Sequence, residues 1–234
     1  MVGGIRFEHT HRLVAATVGF LTLILTIWIG RTEPRKEIRW LAIAALGAVV
    51  LQGILGGLTV LFRLPAPISV THACLGPIFF CVVVTLATIH SPQWEASRNL
   101  FSSEEAAKKI RSLSLLTNAA IFLQLLFGAI VRHTSHGMGL HVASAFLVLV
   151  LTSLLISQAW HFKLALFLGI LVIAEFFLGI GTFIFTRVSG IPHNPASIFF
   201  PTVHQTMGAL ILATSIAASL DSFRRNVALN PAAA

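Results

Sequence analysis

Long apolar runs dominate the chain and are separated by short polar segments. A helix needs about 20 predominantly apolar residues to cross the hydrocarbon core of a bilayer. Seven runs meet this requirement, the third and seventh only just: 11–30, 40–62, 72–89, 113–131, 141–160, 164–186 and 203–220. The pattern therefore predicts an all-α, polytopic membrane protein with seven transmembrane helices.

The composition excludes a soluble protein. Hydrophobic residues make up 56% of the chain and charged residues only 10%, whereas about a quarter of the residues of a soluble domain are charged. Disordered and nucleic-acid-binding proteins are excluded on the same ground. So apolar a protein surface must be covered by membrane lipid. Cys74 and Cys81 lie within one apolar run, so neither a disulfide framework nor a cysteine metal site is predicted.

Basic residues are distributed unequally between the two sides of the predicted helices. Eleven lie in one set of alternate connections: Arg31, Arg35, Lys36, Arg39, Arg98, Lys108, Lys109, Arg111, Lys163, Arg224 and Arg225. Five lie in the other set: Arg6, Arg12, Arg63, Arg132 and Arg187. Because cytoplasmic connections carry the excess of Lys and Arg, this difference predicts a cytoplasmic C-terminus in the cell membrane.

The longest connection divides the chain into two halves. We expect an N-terminal half-bundle over 1–90, a cytoplasmic linker over 91–112 and a C-terminal four-helix bundle over 113–225. In the linker, Ser102 followed by Glu105 predicts a capping box and a helix start.

The two halves also resemble each other. Residues 53–60 of the second run are similar to residues 177–183 of the sixth, and Pro67 and Pro201 introduce the third and seventh runs. This similarity predicts pseudo-symmetric tandem helical bundles; chance similarity between Gly- and Leu-rich segments is the alternative.

Four of the ten histidines lie at or just inside the first turn of a predicted helix: His11, His72, His141 and His204. All four helices run from outside to inside, so the imidazoles share one depth near the outer face. The separations within the two pairs are nearly equal, at 61 and 63 residues. Since a low-spin haem takes an imidazole on each axial face, the pairs predict two haem sites near the outer face. For any single histidine, hydrogen bonding at the interface is the alternative.

Glu8 lies three residues before His11 and shares its helix face. A carboxylate beside a haem is a candidate general base, and an acid favoured by the helix dipole is the alternative. The equivalent position before His141 is Met138, so the two sites should differ in chemistry. Arg12 is a candidate partner for a haem propionate, as is Arg132, although either side chain could simply extend to the interface.

Other polar and small residues within the predicted helices are less informative. Glu175 is the most costly of them to bury, and either a proton path or a structural hydrogen bond would account for it. Six glycines are expected to permit close approach of a helix or a haem: Gly53, Gly56, Gly57, Gly128, Gly179 and Gly181. His133, His136 and His193 are assigned to outer loops.

Several motifs resemble those of one membrane enzyme family. Residues 7–15 (FEHTHRLVA) resemble the E-x-x-H-R segment of haem A synthase, and residues 128–134 (GAIVRHT) resemble its G-A-x-V-R-x-T segment. Residues 70–73 and 202–209 lie where its other histidine motifs do. The resemblance implies a pseudo-symmetric pair of four-helix bundles. It also implies an oxidoreductase that converts haem O to haem A by oxidising the C8 methyl to a formyl group.

The resemblance also implies roles for individual residues in the N-terminal half. The substrate, haem O, would be held by the iron ligands His11 and His72 together with Arg12. Glu8 would be the catalytic residue.

In the C-terminal half, the resemblance implies a permanent haem b with iron ligands His141 and His204 and with Arg132 nearby. The implied partners are an electron acceptor and either haem O synthase or a second copy of the chain.

Two departures from the family pattern change these expectations. The family has eight membrane spans, and the 128–134 segment belongs to its fifth, so the first family helix is expected to be missing here. A truncated gene or a second molecule that completes the first bundle would explain this. The family's outer-loop cysteine pair is also missing from 132–140, so no redox-active loop disulfide is expected.

Two other function classes stay open. A di-haem b-type cytochrome would transfer electrons without modifying a haem, and it would not need Glu8. A small-molecule transporter with a histidine proton path would show no Soret absorbance. Prenyl transfer to haem is disfavoured because Asp221 is the only aspartate, so the chain has no Asp-rich diphosphate motif.

Overall fold

A computed structural model describes residues 2–95, 99–101, 103–189, 194–224 and 226–227. These residues form eight α-helices: α1 (Val2–Thr32), α2 (Lys36–Leu61), α3 (Ala66–Ile89), α4 (Pro92–Glu95), α5 (Glu104–Thr134), α6 (Met138–Ala159), α7 (Lys163–Phe183) and α8 (Ala196–Arg224). All except the four-residue α4 are long and apolar enough to cross a membrane. The predicted all-α membrane fold with seven such helices is confirmed.

The described residues also form three short elements. α7 continues into a π-helical turn over Ile184–Val188. Strand β1 (Asn99–Phe101) pairs in parallel with strand β2 (Asn226–Val227).

α5 begins within the predicted linker and continues without a break into the membrane span. Its N-cap is Ser103, whose Oγ accepts a hydrogen bond from the Ala106 backbone N–H at 3.2 Å. The predicted cap, Ser102, lies outside the described residues. A serine at the N-cap satisfies one of the unpaired N–H groups of the first turn, which explains why the helix starts here.

α8 begins at Ala196 rather than at 203 as predicted. The Asn194 side chain accepts a hydrogen bond from the Ala196 backbone N–H at 3.0 Å and starts the helix. Pro201 consequently lies inside α8 and not at its entrance. His204 is therefore two turns inside the helix, which corrects its predicted place in the first turn. The same correction applies to His11 and His72, because α1 begins at Val2 and α3 at Ala66, so only His141 lies in a first turn.

The first compact unit comprises Met1–Ala87. α1 packs against α2, where Ala42 and Ala45 are almost completely buried. Thr26 on α1 donates a hydrogen bond from its Oγ1 to the Ala42 carbonyl at 3.1 Å. Small residues at such a contact let the helix backbones approach closely, as is usual between membrane helices.

The second unit comprises Thr88–Ala234. In it, α5 contacts α6 and α8, while α7 contacts the same two helices, so the four form a closed bundle. A polar seam joins α5 to α8: Asn118 donates from Nδ2 to Ser219 Oγ at 2.8 Å and accepts from Ser215 Oγ at 2.5 Å. Hydrogen bonds of this kind hold helices together where lipid removes the hydrophobic driving force.

A short turn brings the end of α5 directly to the first turn of α6. Ser135 adopts a left-handed conformation with φ 62°, and its N–H bonds to the Val131 carbonyl at 2.9 Å. His133 therefore lies in the last turn of α5 and not in a loop, which corrects its predicted place. His136 lies in the turn, and His193 lies outside the described residues.

Candidate functional site

The imidazoles of His141 and His204 face each other inside the second unit. His141 lies in the first turn of α6 and His204 lies on α8, with ring centroids 6.2 Å apart and ring planes at 82°. Metal–imidazole bonds are about 2.0–2.1 Å long and the ring centre lies about 1.1 Å behind the bonding nitrogen, so rings sharing one metal have centroids roughly 6.3 Å apart. The observed spacing fits two axial ligands of one metal.

The donor set also indicates which kind of metal group fits. Within the described ranges, no group of three or more His, Cys, Asp or Glu side chains could hold a metal ion. A structural zinc ion needs four such ligands, whereas a haem iron takes at most two from the protein because the porphyrin supplies the rest. Two facing imidazoles therefore fit a haem, whose porphyrin supplies the other iron ligands.

Three of the four predicted ligands have one ring nitrogen enclosed by the protein. Nδ1 of His72, His141 and His204 is buried and makes no fully formed hydrogen bond. Since Nδ1 is enclosed by the protein on each ring, Nε2 is the candidate metal-binding nitrogen.

Each of these three rings rests on a glycine of the long helix that precedes it. A Cβ on Gly56 would lie 3.2 Å from Cε1 of His72. The corresponding distances are 3.0 Å from Gly128 to His141 and 3.3 Å from Gly179 to His204. We call Gly56, Gly128 and Gly179 the cradle glycines, because a side chain at any of them would take up space that an imidazole fills.

A polar residue precedes each cradle glycine by four positions, on the same helix face. Gln52 donates from Nε2 to the His72 carbonyl at 3.0 Å. Gln124 accepts a short hydrogen bond from Ser144 Oγ. At the third position the residue is Glu175, and its side chain reaches the imidazole itself.

Glu175 and His204 form a half-buried acid–imidazole contact. Oε1 of Glu175 lies 3.1 Å from Nδ1 of His204, and the two side chains are only 20% and 21% exposed. The distance is that of a hydrogen bond, although the N–H direction is not well aligned with the oxygen. Gly208, one turn beyond His204, leaves room for the carboxyl group, because a Cβ there would lie 3.3 Å from the same oxygen.

The N-terminal histidine pair is arranged differently. His11 is exposed on α1, whereas His72 is half-buried on α3. Within residues 8–95 no ring contact joins the two. α1 begins well before residue 8, as the proposed shared face of Glu8 and His11 requires.

The two predicted propionate partners already have polar contacts within the protein. Arg12 lies 2.5 Å from Glu8 in an ion pair whose side chains are more than half exposed. Arg132 donates to Oε1 of Gln205 at 2.6 Å, which ties the end of α5 to the residue after His204.

The sequence analysis does not predict that the three cradle glycines each contact a histidine, or that Glu175 contacts His204. A sequence signal for them exists, since Gln52–Gly56, Gln124–Gly128 and Glu175–Gly179 repeat one spacing. Recognising it requires knowing that each glycine faces a histidine of the next long helix, which the spacing alone does not reveal.

The fold and site define a polytopic membrane protein in which a four-helix bundle presents a facing pair of imidazoles. Comparison with known families narrows this class. The chain belongs to the cytochrome oxidase assembly protein family (COX15-CtaA), which matches residues 5–142. The family predicted from the motifs is confirmed.

Individual relatives support the same assignment. The haem A synthase of Shouchella clausii is 26% identical over 186 residues, which are 77% of this chain and 61% of the relative. That of Novosphingobium aromaticivorans is 34% identical over 129 residues, or 53% and 35% of the two chains. That of Bacillus licheniformis is 28% identical over 131 residues, or 55% and 42%. The chain thus spans less than two thirds of the length of these relatives, and no solved structure matches it significantly.

Proposed function

We propose that this chain takes part in haem A synthesis by oxidising the C8 methyl of haem O to a formyl group. The observation that carries the proposal is the 6.2 Å spacing of the His141 and His204 imidazoles in a member of this family. The relatives named haem A synthase support it.

The C-terminal bundle would hold a permanent haem b. His141 and His204 would be its axial ligands, and Gly128 and Gly179 fix the positions of their rings. Arg132 would bind a propionate, and its hydrogen bond to Gln205, the residue after His204, supports a place for it beside the haem. A haem bound there supplies one-electron redox chemistry.

The N-terminal half would hold the substrate through His11 and His72. Oxidation of a methyl to a formyl group with oxygen from water releases four protons and four electrons. Glu8 would accept protons at its carboxylate, and Arg12 would fix the position of that carboxylate through their ion pair. The electrons would pass to an acceptor outside the chain.

The remaining features of the proposal concern location and organisation. The chain would lie in the cell membrane with a cytoplasmic C-terminus and with both haem sites near the outer face. The half-bundle over 1–90 would serve the substrate and the bundle over 113–225 would serve haem b. Haem O synthase or a second copy of the chain would be the protein partner.

The test is production of haem A in cells that make haem O but have no haem A synthase of their own. Haem A is measured by chromatography of extracted haems, and the Soret band is recorded on the purified protein. His204→Ala should stop haem A formation and weaken the Soret band by the contribution of the C-terminal haem, while His161→Ala, an exposed histidine elsewhere in the second unit, should preserve both signals.

The two alternatives give different results in this experiment. A Soret band without haem A would indicate an electron-transfer cytochrome. A protein that binds no haem would overturn both haem functions and favour a transporter.

A further inference from the structure

We propose that Glu175 is a positioning residue for the C-terminal haem. It would accept the Nδ1–H of His204, orient the ring with Nε2 towards the iron, and lower the reduction potential of that haem. The inference rests on the proposed function in one respect, because it takes His204 as an iron ligand.

The contact geometry supports this role. Oε1 of Glu175 lies 3.1 Å from Nδ1 of His204, and a small rotation of either side chain would align the N–H with that oxygen. Metal-bound histidines usually donate their other N–H to a carboxylate or carbonyl, which fixes the ring orientation and raises the basicity of the ligand. A more basic axial ligand stabilises the oxidised iron, and so the potential falls.

The chain itself provides a comparison. The equivalent positions before the other two cradle glycines are Gln52 and Gln124, whose side chains bond to the His72 carbonyl and to Ser144. Neither amide side chain approaches an imidazole nitrogen in these hydrogen bonds. An acid at this position is thus a feature of the His204 site, and the two axial ligands of the C-terminal haem would be unequal.

A purely structural role explains the acid less well. An ionisable side chain within a membrane span is costly, so such residues are rare and usually functional. A glutamine at 175 would fill the same volume at lower cost, as Gln52 and Gln124 do. Oε2 of Glu175 is buried without a hydrogen-bond partner in the described residues, so the carboxyl group is not part of a satisfied structural network.

The decisive experiment is a potentiometric titration of the purified, haem-loaded protein, followed by the haem absorbance bands. Glu175→Gln should keep the haem and shift the midpoint potential upwards, with a change in the low-spin EPR g-values. The matched control is Asp221→Asn, the same acid-to-amide change at the far end of α8, where Asp221 pairs with Arg224 at 3.2 Å. The control should leave the potential and the EPR spectrum unchanged.

A second variant keeps the inference testable if Glu175→Gln loses the haem. Glu175→Asp keeps the acid on a shorter side chain, so haem retention in Asp but not in Gln would support the proposed contact. Haem loss from both variants would indicate that Glu175 is needed for packing, and would overturn the inference.

The two proposals fail in different ways. A haem-loaded Glu175→Gln protein with the wild-type potential and EPR spectrum overturns this inference and leaves the proposed function standing. A wild-type protein without haem overturns both.

Discussion

Gly128 on α5 and His141 on α6 are in direct contact, and a Cβ on the glycine would lie 3.0 Å from Cε1 of the imidazole. A methyl group at that distance must displace the ring, because such a separation is shorter than normal van der Waals contact. The position of the proposed ligand His141 therefore depends on a residue that has no side chain.

The first prediction follows from that contact. Gly128→Ala should lower haem affinity about tenfold, since overpacking a well-packed site costs about 1–3 kcal/mol. The measurement is the haem-to-protein ratio of the purified protein after titration with haem. Gly139→Ala is the matched control, because a Cβ there meets nothing within 4 Å. Equal haem binding by the two variants would contradict a cradle role for Gly128.

The second prediction concerns Glu8. Glu8→Gln should leave haem content unchanged but reduce haem A formation by about 10²–10⁴-fold, the usual contribution of a general base. Glu33→Gln is a suitable control, because Glu33 also pairs with an arginine, Arg35 at 2.7 Å, but follows the other end of α1. An undiminished yield of haem A from the Glu8 variant would favour an electron-transfer cytochrome.

The third prediction concerns the polar seam between α5 and α8. Asn118→Leu removes two interhelical hydrogen bonds, and each is worth about 0.6 kcal/mol in a membrane protein. We expect the free energy of unfolding in detergent to fall by about 1–2 kcal/mol, measured by circular dichroism during denaturation. Gln158→Leu, at an exposed position of α6, should have little effect. A similar fall in both variants would mean that the two hydrogen bonds of Asn118 make no particular contribution to stability.

The fourth prediction concerns Arg111 at the start of α5. Its guanidinium lies over the rings of Phe101 and Phe223, at 5.7 and 5.6 Å from their centroids. Arg111→Met keeps an apolar side chain but removes the guanidinium, so the free energy of unfolding should fall by about 0.5–1 kcal/mol for each of the two cation–π interactions. Lys108→Ala, at an exposed position one turn away, should leave the unfolding curve unchanged. Wild-type stability in the Arg111 variant would show that stacking on the two rings contributes nothing.

Much of the fold follows from the sequence because membrane helices are recognisable by their length and hydropathy. The seven spans are predictable on this basis. Helix boundaries are harder to predict, because side-chain caps decide them. Pro201 indicates a helix start, yet Asn194 starts α8 two turns earlier. The π-helical turn at Ile184–Val188 has no signal in the hydropathy pattern.

The proximity of His141 and His204 is predictable from the sequence, but the surroundings of their rings are not. Spacing in the sequence indicates that His141 and His204 belong together, and the structure places their rings side by side. Spacing does not indicate that Glu175 reaches Nδ1 of His204, because periodicity does not determine which face of one helix meets which neighbour. The pairing of Glu8 with Arg12 can be anticipated, since residues four apart on a helix are neighbours.

The cradle glycines have a consequence beyond this chain. Each imidazole is seated by the helix immediately before it, so a helical hairpin carries both the ring and its support. Such a hairpin could be duplicated as one genetic unit and would bring a correctly seated ligand with it. A polar residue four positions before a glycine, with a histidine on the next long helix, is therefore a pattern worth searching for in other membrane proteins.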